Sequence, residues 1–426
     1  MNYAEAIEYI HSINWTFCNP GLERIRTLCD ALGNPEKELK FVHVAGTNGK
    51  GSFCSMLDSV LRSAGYKTGL FTSPYIRFFN ERICFNGKPI SNDELAEVTE
   101  YVKPIADKMT EKPTEFELIS AIGFEYFKRK KCDVVILEAG MGGRLDSTNI
   151  IESPLLSVIT GIAFDHTAFL GDTIEKIAAE KAGIIKKDRP VLWGGNSEAA
   201  LEVIKAQADK MNAPFYATSR DTIKVTNATL EGTFFDYAER KDIKISLLGS
   251  YQPYNAANVI SAVDILKGEG LSISEEALRN GLVSAKWPAR FELLSNEPTV
   301  IYDGAHNPEG IEAACRSIKN YFGDEKVFVL SGVMKDKDYD YIASMLSEIA
   351  TKAFTVTPDN PRALNAKDYA EVLSKKNVTS LPFESLSEAL KTAYNTAKNE
   401  KTPLVCLGSL YMYCEIKAAM RVLGKI

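Results

Sequence analysis

A lysine set in a glycine-rich turn is the first group in this chain with an evident chemical use. Gly46-Thr47-Asn48-Gly49-Lys50-Gly51-Ser52 follows the apolar run Phe41–Ala45 and precedes Phe53, Met56, Leu57, Val60 and Leu61, which recur at helical spacing. Strand, glycine turn with Lys, then helix is the layout of a phosphate loop. Glycines let backbone N–H groups reach an anion, the helix start favours its charge, and Lys bridges the terminal phosphates. The run departs from the pattern G-x-x-x-x-G-K-[ST], because Val44 stands at the first glycine position and Gly51 separates Lys50 from Ser52. ATP is the ligand such a loop implies.

Three further polar groups fall where apolar runs end. Val134–Leu137 leads into Glu138 and then Ala139-Gly140-Met141-Gly142-Gly143-Arg144-Leu145-Asp146; Leu155–Thr160 leads towards Asp165-His166; Gly69–Thr72 leads into Ser73. In an open parallel sheet, ligands sit beyond the carboxyl ends of the strands. A carboxylate, an imidazole and a hydroxyl beside a triphosphate suit Mg2+, which prefers oxygen and borrows some from phosphate. An imidazole is unusual for Mg2+, so His166 reads equally well as an ordinary loop histidine. Lys181 lies on the apolar stripe of Ile174, Ile177, Ala178 and Ile185. Burial lowers a lysine's pKa and leaves a reactive neutral amine. A lysine that snorkels to water or pairs with an acid is the other reading.

These residues need a scaffold of parallel strands. Short apolar runs alternate with helical patterns almost throughout, the signature of α/β architecture. One set of buried strands covers Phe41–Ala45, Thr68–Thr72, Asp133–Glu138 and Leu155–Thr160; a second covers Thr299–Tyr302, Lys326–Ser331, Ala353–Thr357 and Leu404–Leu407. Between them, Ser295-Asn296-Glu297-Pro298 marks a boundary. The expected fold is an N-terminal phosphate-loop ATPase domain over residues 1–295, with a mainly parallel sheet, and a C-terminal Rossmann-like α/β domain over 296–426. Alternating segments between about 212 and 248 predict a small antiparallel flap within the first domain.

The 426 residues exceed one ordinary core, and a hydrophobic fraction of 45% with 25% charged residues is that of a globular protein. A net charge of −6 offers no general attraction to nucleic acid or to an anionic membrane. The chain shows no apolar run of membrane-spanning length and no signal-peptide pattern, and its eight scattered cysteines suit a reducing compartment. The expectation is a cytoplasmic enzyme without nucleic-acid or membrane partners.

The motifs together resemble the folylpolyglutamate synthase/dihydrofolate synthase family of the Mur ligase superfamily. The run Gly46–Lys50 is similar to the superfamily's phosphate loop, and Gly51 to the folate branch. Glu-x-Gly-x-Gly-Gly-Arg-x-Asp from Glu138 to Asp146, followed by Asp165-His166-Thr167, is similar to the family's metal-binding pattern. The resemblance implies ATP held by residues 46–52, Asn255, Arg290 and Asp303, and Mg2+ held by Ser73, Glu138 and His166. It implies Arg290 at the transferring phosphoryl group, and His306 completing the site from the second domain. Lys181, in Glu180-Lys181-Ala182-Gly183, resembles the lysine that the family carbamylates. Pro20–Arg24 and Thr114–Glu117 resemble segments bordering the pterin pocket, and Thr114, Phe116 and Asp146 are the acceptor-binding residues it suggests. Tyr75 stands where the family commonly has His.

The implied activity adds L-glutamate to dihydropteroate, to a folate tail or to both, through an acyl phosphate. The family is usually monomeric, and a monovalent cation is a further cofactor the resemblance admits. A Mur-type ligase acting on a UDP-linked cell-wall precursor is the alternative.

Overall fold

The chain folds around three sheets in a computed structural model that describes residues 1–13 and 21–424. Pro20, the start of one sequence-read pocket segment, lies outside the described residues. Contacts divide the chain into two units, one of residues 1–223 with 254–285 and one of residues 224–253 with 286–426.

The first unit holds eight strands: β1 (Phe41–Ala45), β2 (Thr68–Phe71), β3 (Ile83–Phe85), β4 (Lys88–Pro89), β5 (Val134–Glu138), β6 (Leu156–Ile159), β7 (Val191–Trp193) and β8 (Phe215–Ala217). Their order is β4-β3-β2-β5-β1-β6-β7-β8. Only β3 and β4 run antiparallel to their neighbours. Every residue of β1, β2, β5 and β6 is buried, which is why these strands read as unbroken apolar runs rather than alternating ones. After β1 the chain lays down β2, β3 and β4 on one side, returns with β5 between β1 and β2, then crosses to the other side with β6. The carboxyl end of β1 is therefore the switch point, where such sheets bind ligands. Two apolar clusters cover the faces, one centred on the helices Asn92–Lys108 and Glu115–Arg129, the other on Ile174–Ala182 and Glu198–Lys210.

The second unit carries the flap β9 (Lys224–Thr229), β10 (Gly232–Tyr237) and β11 (Arg240–Ile245), antiparallel throughout. Its main sheet uses β12 (Glu292–Asn296), β13 (Thr299–Asp303), β14 (Val327–Ser331), β15 (Ala350–Thr355), β16 (Thr379–Pro382) and β17 (Leu404–Leu407), ordered β12-β13-β17-β14-β15-β16. All neighbours are parallel except β12 and β13.

Two sequence expectations change in detail. The flap is present, but its contacts group it with the second unit, and residues 215–217 belong to the parallel sheet rather than to the flap. Residues 295–298, read as a linker, are the end of β12 and the two-residue turn that leads into β13. A Pro beside polar residues suits a tight turn as well as a linker, and pattern alone does not separate the two.

Candidate active site

The glycine turn after β1 bends onto the helix Lys50–Ser63, whose cap residue Gly49 has φ 86° and no side-chain cap. That left-handed conformation strains any L side chain. An added Cβ would also lie 2.7 Å from Asn255 Oδ1, so Asn255 stands against the turn. The turn is tied to the loop beyond β6. Thr47 N donates to Gly161 O at 2.7 Å, Thr47 Oγ1 donates to Ala163 O at 3.1 Å, and Thr160 Oγ1 donates to Asn48 O at 2.8 Å. Ser52, in the first helical turn, is buried.

Two lysines converge on one carbonyl. Lys50 Nζ donates to Gly46 O at 3.0 Å and to Thr47 O at 3.3 Å, and Lys181 Nζ donates to the same Gly46 O at 3.0 Å. Lys181 comes from the helix Ile174–Ala182, which buries Ile177, Ala178, Lys181 and Ala182; the predicted stripe holds at Ile177, Ala178 and Lys181, while Ile174 is half-buried and Ile185 lies beyond the helix end. Burial, and then the neighbouring Lys50 charge, bring the Lys181 amine down to about 7. A large share of it is therefore neutral near physiological pH.

Glu138, at the end of β5, is 4% exposed. Its Oε1 lies 4.0 Å from Lys50 Nζ, and its Oε2 accepts the Ser73 N–H at 3.3 Å. His166 opens the short helix Thr167–Leu170 with φ 49°. Its ring is half exposed, with Nε2 3.9 Å from Asp165 Oδ2. Gly46, Thr47, Lys50, Lys181, Asp165, His166 and the turn 139–142 line one cavity.

The sequence-read acceptor residues lie behind that turn. Thr114 caps the helix Glu115–Arg129 in a reciprocal capping box, and Glu117 Oε2 also accepts Arg24 Nε at 3.0 Å. The Phe116 ring packs on Phe71 at 6.0 Å and closes on Gly140, where an added Cβ would come within 2.6 Å of it. Asp146 is buried, and both of its oxygens accept bonds from its own chain: Met141 N at 2.9 Å on Oδ2, Thr148 N at 3.1 Å and Thr148 Oγ1 at 2.6 Å on Oδ1.

Arg290, Asp303 and His306 form a separate group on the second unit. Asp303, ending β13, accepts Phe291 N at 2.8 Å, Tyr251 OH at 2.9 Å and Ala305 N at 2.7 Å. Burial raises its pKa against the nearby Arg290 charge. His306 Nδ1 lies 2.8 Å from Gly304 O; a carbonyl only accepts, so Nδ1 carries the proton. Asn307 caps the helix Pro308–Phe322. Sequence reasoning passed over Thr160 and Asp165. Both lie just beyond β6, and the strand-end rule that exposed Glu138 applies to them equally.

Mg2+ is implied by this donor set and can be tested against it. No group of three His, Cys, Asp or Glu side chains able to hold a metal occurs among the described residues. Glu138 and Ser73 nevertheless offer a hard carboxylate and a hydroxyl beside the phosphate loop, which fits an ion that takes its remaining oxygens from phosphate and water.

A family model described as the Mur ligase middle domain matches residues 44–263, and one described as the Mur ligase glutamate ligase domain matches residues 289–410. The dihydrofolate synthase/folylpolyglutamate synthase of Bacillus subtilis is 41% identical, over 98% of this chain and 99% of its own. This chain belongs to that family. A folylpolyglutamate synthase solved with AMPPCP and folate superposes with a TM-score of 0.85 at 33% identity, over 99% of this chain and 100% of that one. The Escherichia coli protein FolC, in complex with DHPP and ADP, also gives 0.85, at 29% identity over 100% and 98%. The mixed α/β fold, with its parallel sheets and flap, is the folylpolyglutamate synthase fold. These findings fit the folate reading and not the cell-wall alternative.

Proposed function

We propose that this chain is an ATP-dependent ligase that joins the amino group of L-glutamate to the carboxylate of dihydropteroate, and also to the glutamate tail of a folate. The observation that carries the proposal is the pair of lysines converging on the Gly46 carbonyl beside Glu138, at the switch point of a sheet from this family. Relatives with bound nucleotide, folate and DHPP support both acceptors. In this reading residues 1–295 are the ATP-binding domain that carries the phosphate loop, and residues 296–426 are the glutamate-ligase domain. The second assignment is supported by the glutamate ligase model matched at 289–410.

The acceptor carboxylate oxygen bonds to the γ-phosphorus of ATP as the β–γ bridging bond breaks and ADP leaves. The glutamate nitrogen then bonds to the acyl carbon, loses a proton and expels phosphate. Lys50 and the 46–52 backbone hold the phosphates, with Asn255 against the turn. Arg290 supplies a permanent planar charge suited to the transferring group, and Asp303 and His306 serve the nucleotide side of the second unit. Thr114, Phe116 and Asp146 border the acceptor. Catalysis on this account is positioning and electrostatic stabilisation.

Ser73, Glu138 and His166 are the residues that would hold Mg2+, which when bound neutralises phosphate charge. The depressed amine of Lys181 supports carbamylation: the lone pair of the neutral amine bonds to the carbon of CO2, one proton leaves to water, and the neutral group becomes an anionic carbamate. Mass spectrometry of the native protein that finds only the free amine in an active sample removes that assignment. A monovalent cation has no assigned residues here. Monomeric, cytoplasmic enzyme without nucleic-acid partners completes the reading; no described helix is long and apolar enough to cross a membrane.

The deciding experiment is glutamate-dependent phosphate release from ATP with dihydropteroate or with tetrahydrofolate as acceptor. Turnover with both supports the bifunctional reading, and turnover with one names the retained half. Release with neither overturns the substrate assignment.

A further inference from the structure

β1 carries one polar side chain, His43, fully buried between Val42 and Val44. An aliphatic residue would fill this position at less cost, because burying a polar ring is unfavourable unless its hydrogen bonds serve some purpose. Its Nε2 lies 2.9 Å from Thr148 Oγ1, and the Thr148 hydroxyl reaches Asp146 Oδ1 at 2.6 Å. A threonine hydroxyl has one proton, and an ionised carboxylate only accepts. The Thr148 proton therefore goes to Asp146, and the proton in the other contact must come from His43 Nε2. The remaining ring nitrogen, Nδ1, is then an acceptor, and it is buried without a hydrogen-bond partner.

The far end of this chain of bonds is the Met141 N–H, held by Asp146 Oδ2. Met141 belongs to the turn 139–142, which directly follows Glu138 and lines the cavity with Gly46, Thr47, Lys50 and Lys181. The connection thus runs from the middle of β1 through three side chains to a backbone N–H in the wall facing the phosphate loop.

We propose that His43 is a positioning residue: through Thr148 and Asp146 it fixes the turn beyond Glu138, and so sets the affinity of the cavity for the phosphates of ATP. The inference rests on the reading of that cavity as the phosphate end of the site.

The test is steady-state kinetics on His43→Leu, Thr148→Val, the double variant and His43→Gln, with a 15N imidazole spectrum of the parent protein. Losing one bond in a chain that ends on a charged acceptor is expected to raise KM for ATP about tenfold. The KM for glutamate stays unchanged. The double variant is expected to be no worse than either single one, because both break the same chain. His43→Gln places an amide N–H near the Nε2 position and recovers most of the affinity, a rescue that guards against variants that merely fold poorly. With four histidines in the chain, the His43 resonances are identified by difference and should show the neutral Nε2–H form.

Additive losses, an unchanged KM for ATP, no rescue by Gln, or an Nδ1–H ring each overturn the proposal. The cavity reading fails separately, if Lys50→Ala keeps its affinity for ATP. The imidazole spectrum, which needs no substrate, still reports on the hydrogen-bond chain in that event.

Discussion

Each unit ends a parallel strand on a buried carboxylate, yet the two are built differently. Asp303 on β13 is bound by two backbone N–H groups and a tyrosine hydroxyl, all within 2.7–2.9 Å and all from its own unit. Two contacts of Glu138 on β5 are longer, 3.3 Å to the Ser73 N–H and 4.0 Å to Lys50. Short, converging bonds fix a backbone; long ones to a cation are readily exchanged for contacts to a ligand. The second unit therefore uses its carboxylate to hold the segment carrying Arg290 and His306. The first unit leaves its strand-end carboxylate beside the phosphate loop, which suits the role proposed for Glu138, and a different acid, Asp146, holds the neighbouring turn.

Removing the Lys50 charge should break the first side of this comparison most severely. Lys50→Ala is expected to lower kcat on the order of a hundredfold to a thousandfold, with far-UV circular dichroism unchanged. Near-normal turnover would contradict the assignment of the cavity. Asp303→Asn should act instead on stability. An amide presents N–H towards donors that need an acceptor, so the variant should lose about 1–3 kcal/mol in urea unfolding. If Asp303→Asn leaves stability intact and abolishes turnover, the contrast between the two carboxylates is wrong.

The same contrast explains what was legible in the sequence. β1 and β17 match the apolar runs from which they were read, and β5 differs by one residue, because strands buried on both faces leave an uninterrupted signal. β7 and β8, three residues each, are too short to establish a period. Lys181 on its helical stripe, and Glu138 at a strand end, follow from local pattern alone. The bonds of Asp146 to its own chain did not, because a carboxylate that binds a ligand and one that staples its own backbone look identical as residue types. The bond from His43 to Thr148 spans 105 positions, a pairing that only the folded sheet creates.

Lys181 sharpens the comparison through pH. Its amine falls from 10.5 to about 7 on folding, chiefly by burial. Between those values the unfolded chain holds a proton that the native one lacks, so this group makes stability rise with pH across that window. Below about pH 7 both states are protonated, and the native state bears the cost of a buried charge. Lys181→Met should flatten the rise and be more stable than the parent at neutral pH, measured by urea unfolding at pH 7 and pH 9 in CO2-free buffer. An unchanged slope would mean that the amine is solvated in solution.

The smallest effect expected is on the acid side, at His43. Burial, assisted by the Lys186 charge, lowers its pKa from 6.5 to about 3. As pH falls below 6.5 the unfolded chain takes up a proton that the native ring refuses, so stability is lost progressively towards pH 3. Between pH 6.5 and pH 5 the loss from this group amounts to about 2 kcal/mol. His43→Gln has no proton to gain there, and its unfolding free energy should fall less steeply than that of the parent over the same interval. Asp303, whose pKa is raised by burial, acts in the opposite sense, since its native carboxylate takes up a proton at a higher pH than the unfolded one. The acid limb thus separates the two holding networks: His43→Gln should flatten it and Asp303→Asn should steepen it, and a shift in the same direction for both would mean that burial does not act on the His43 ring and the Asp303 carboxylate in the opposite senses described.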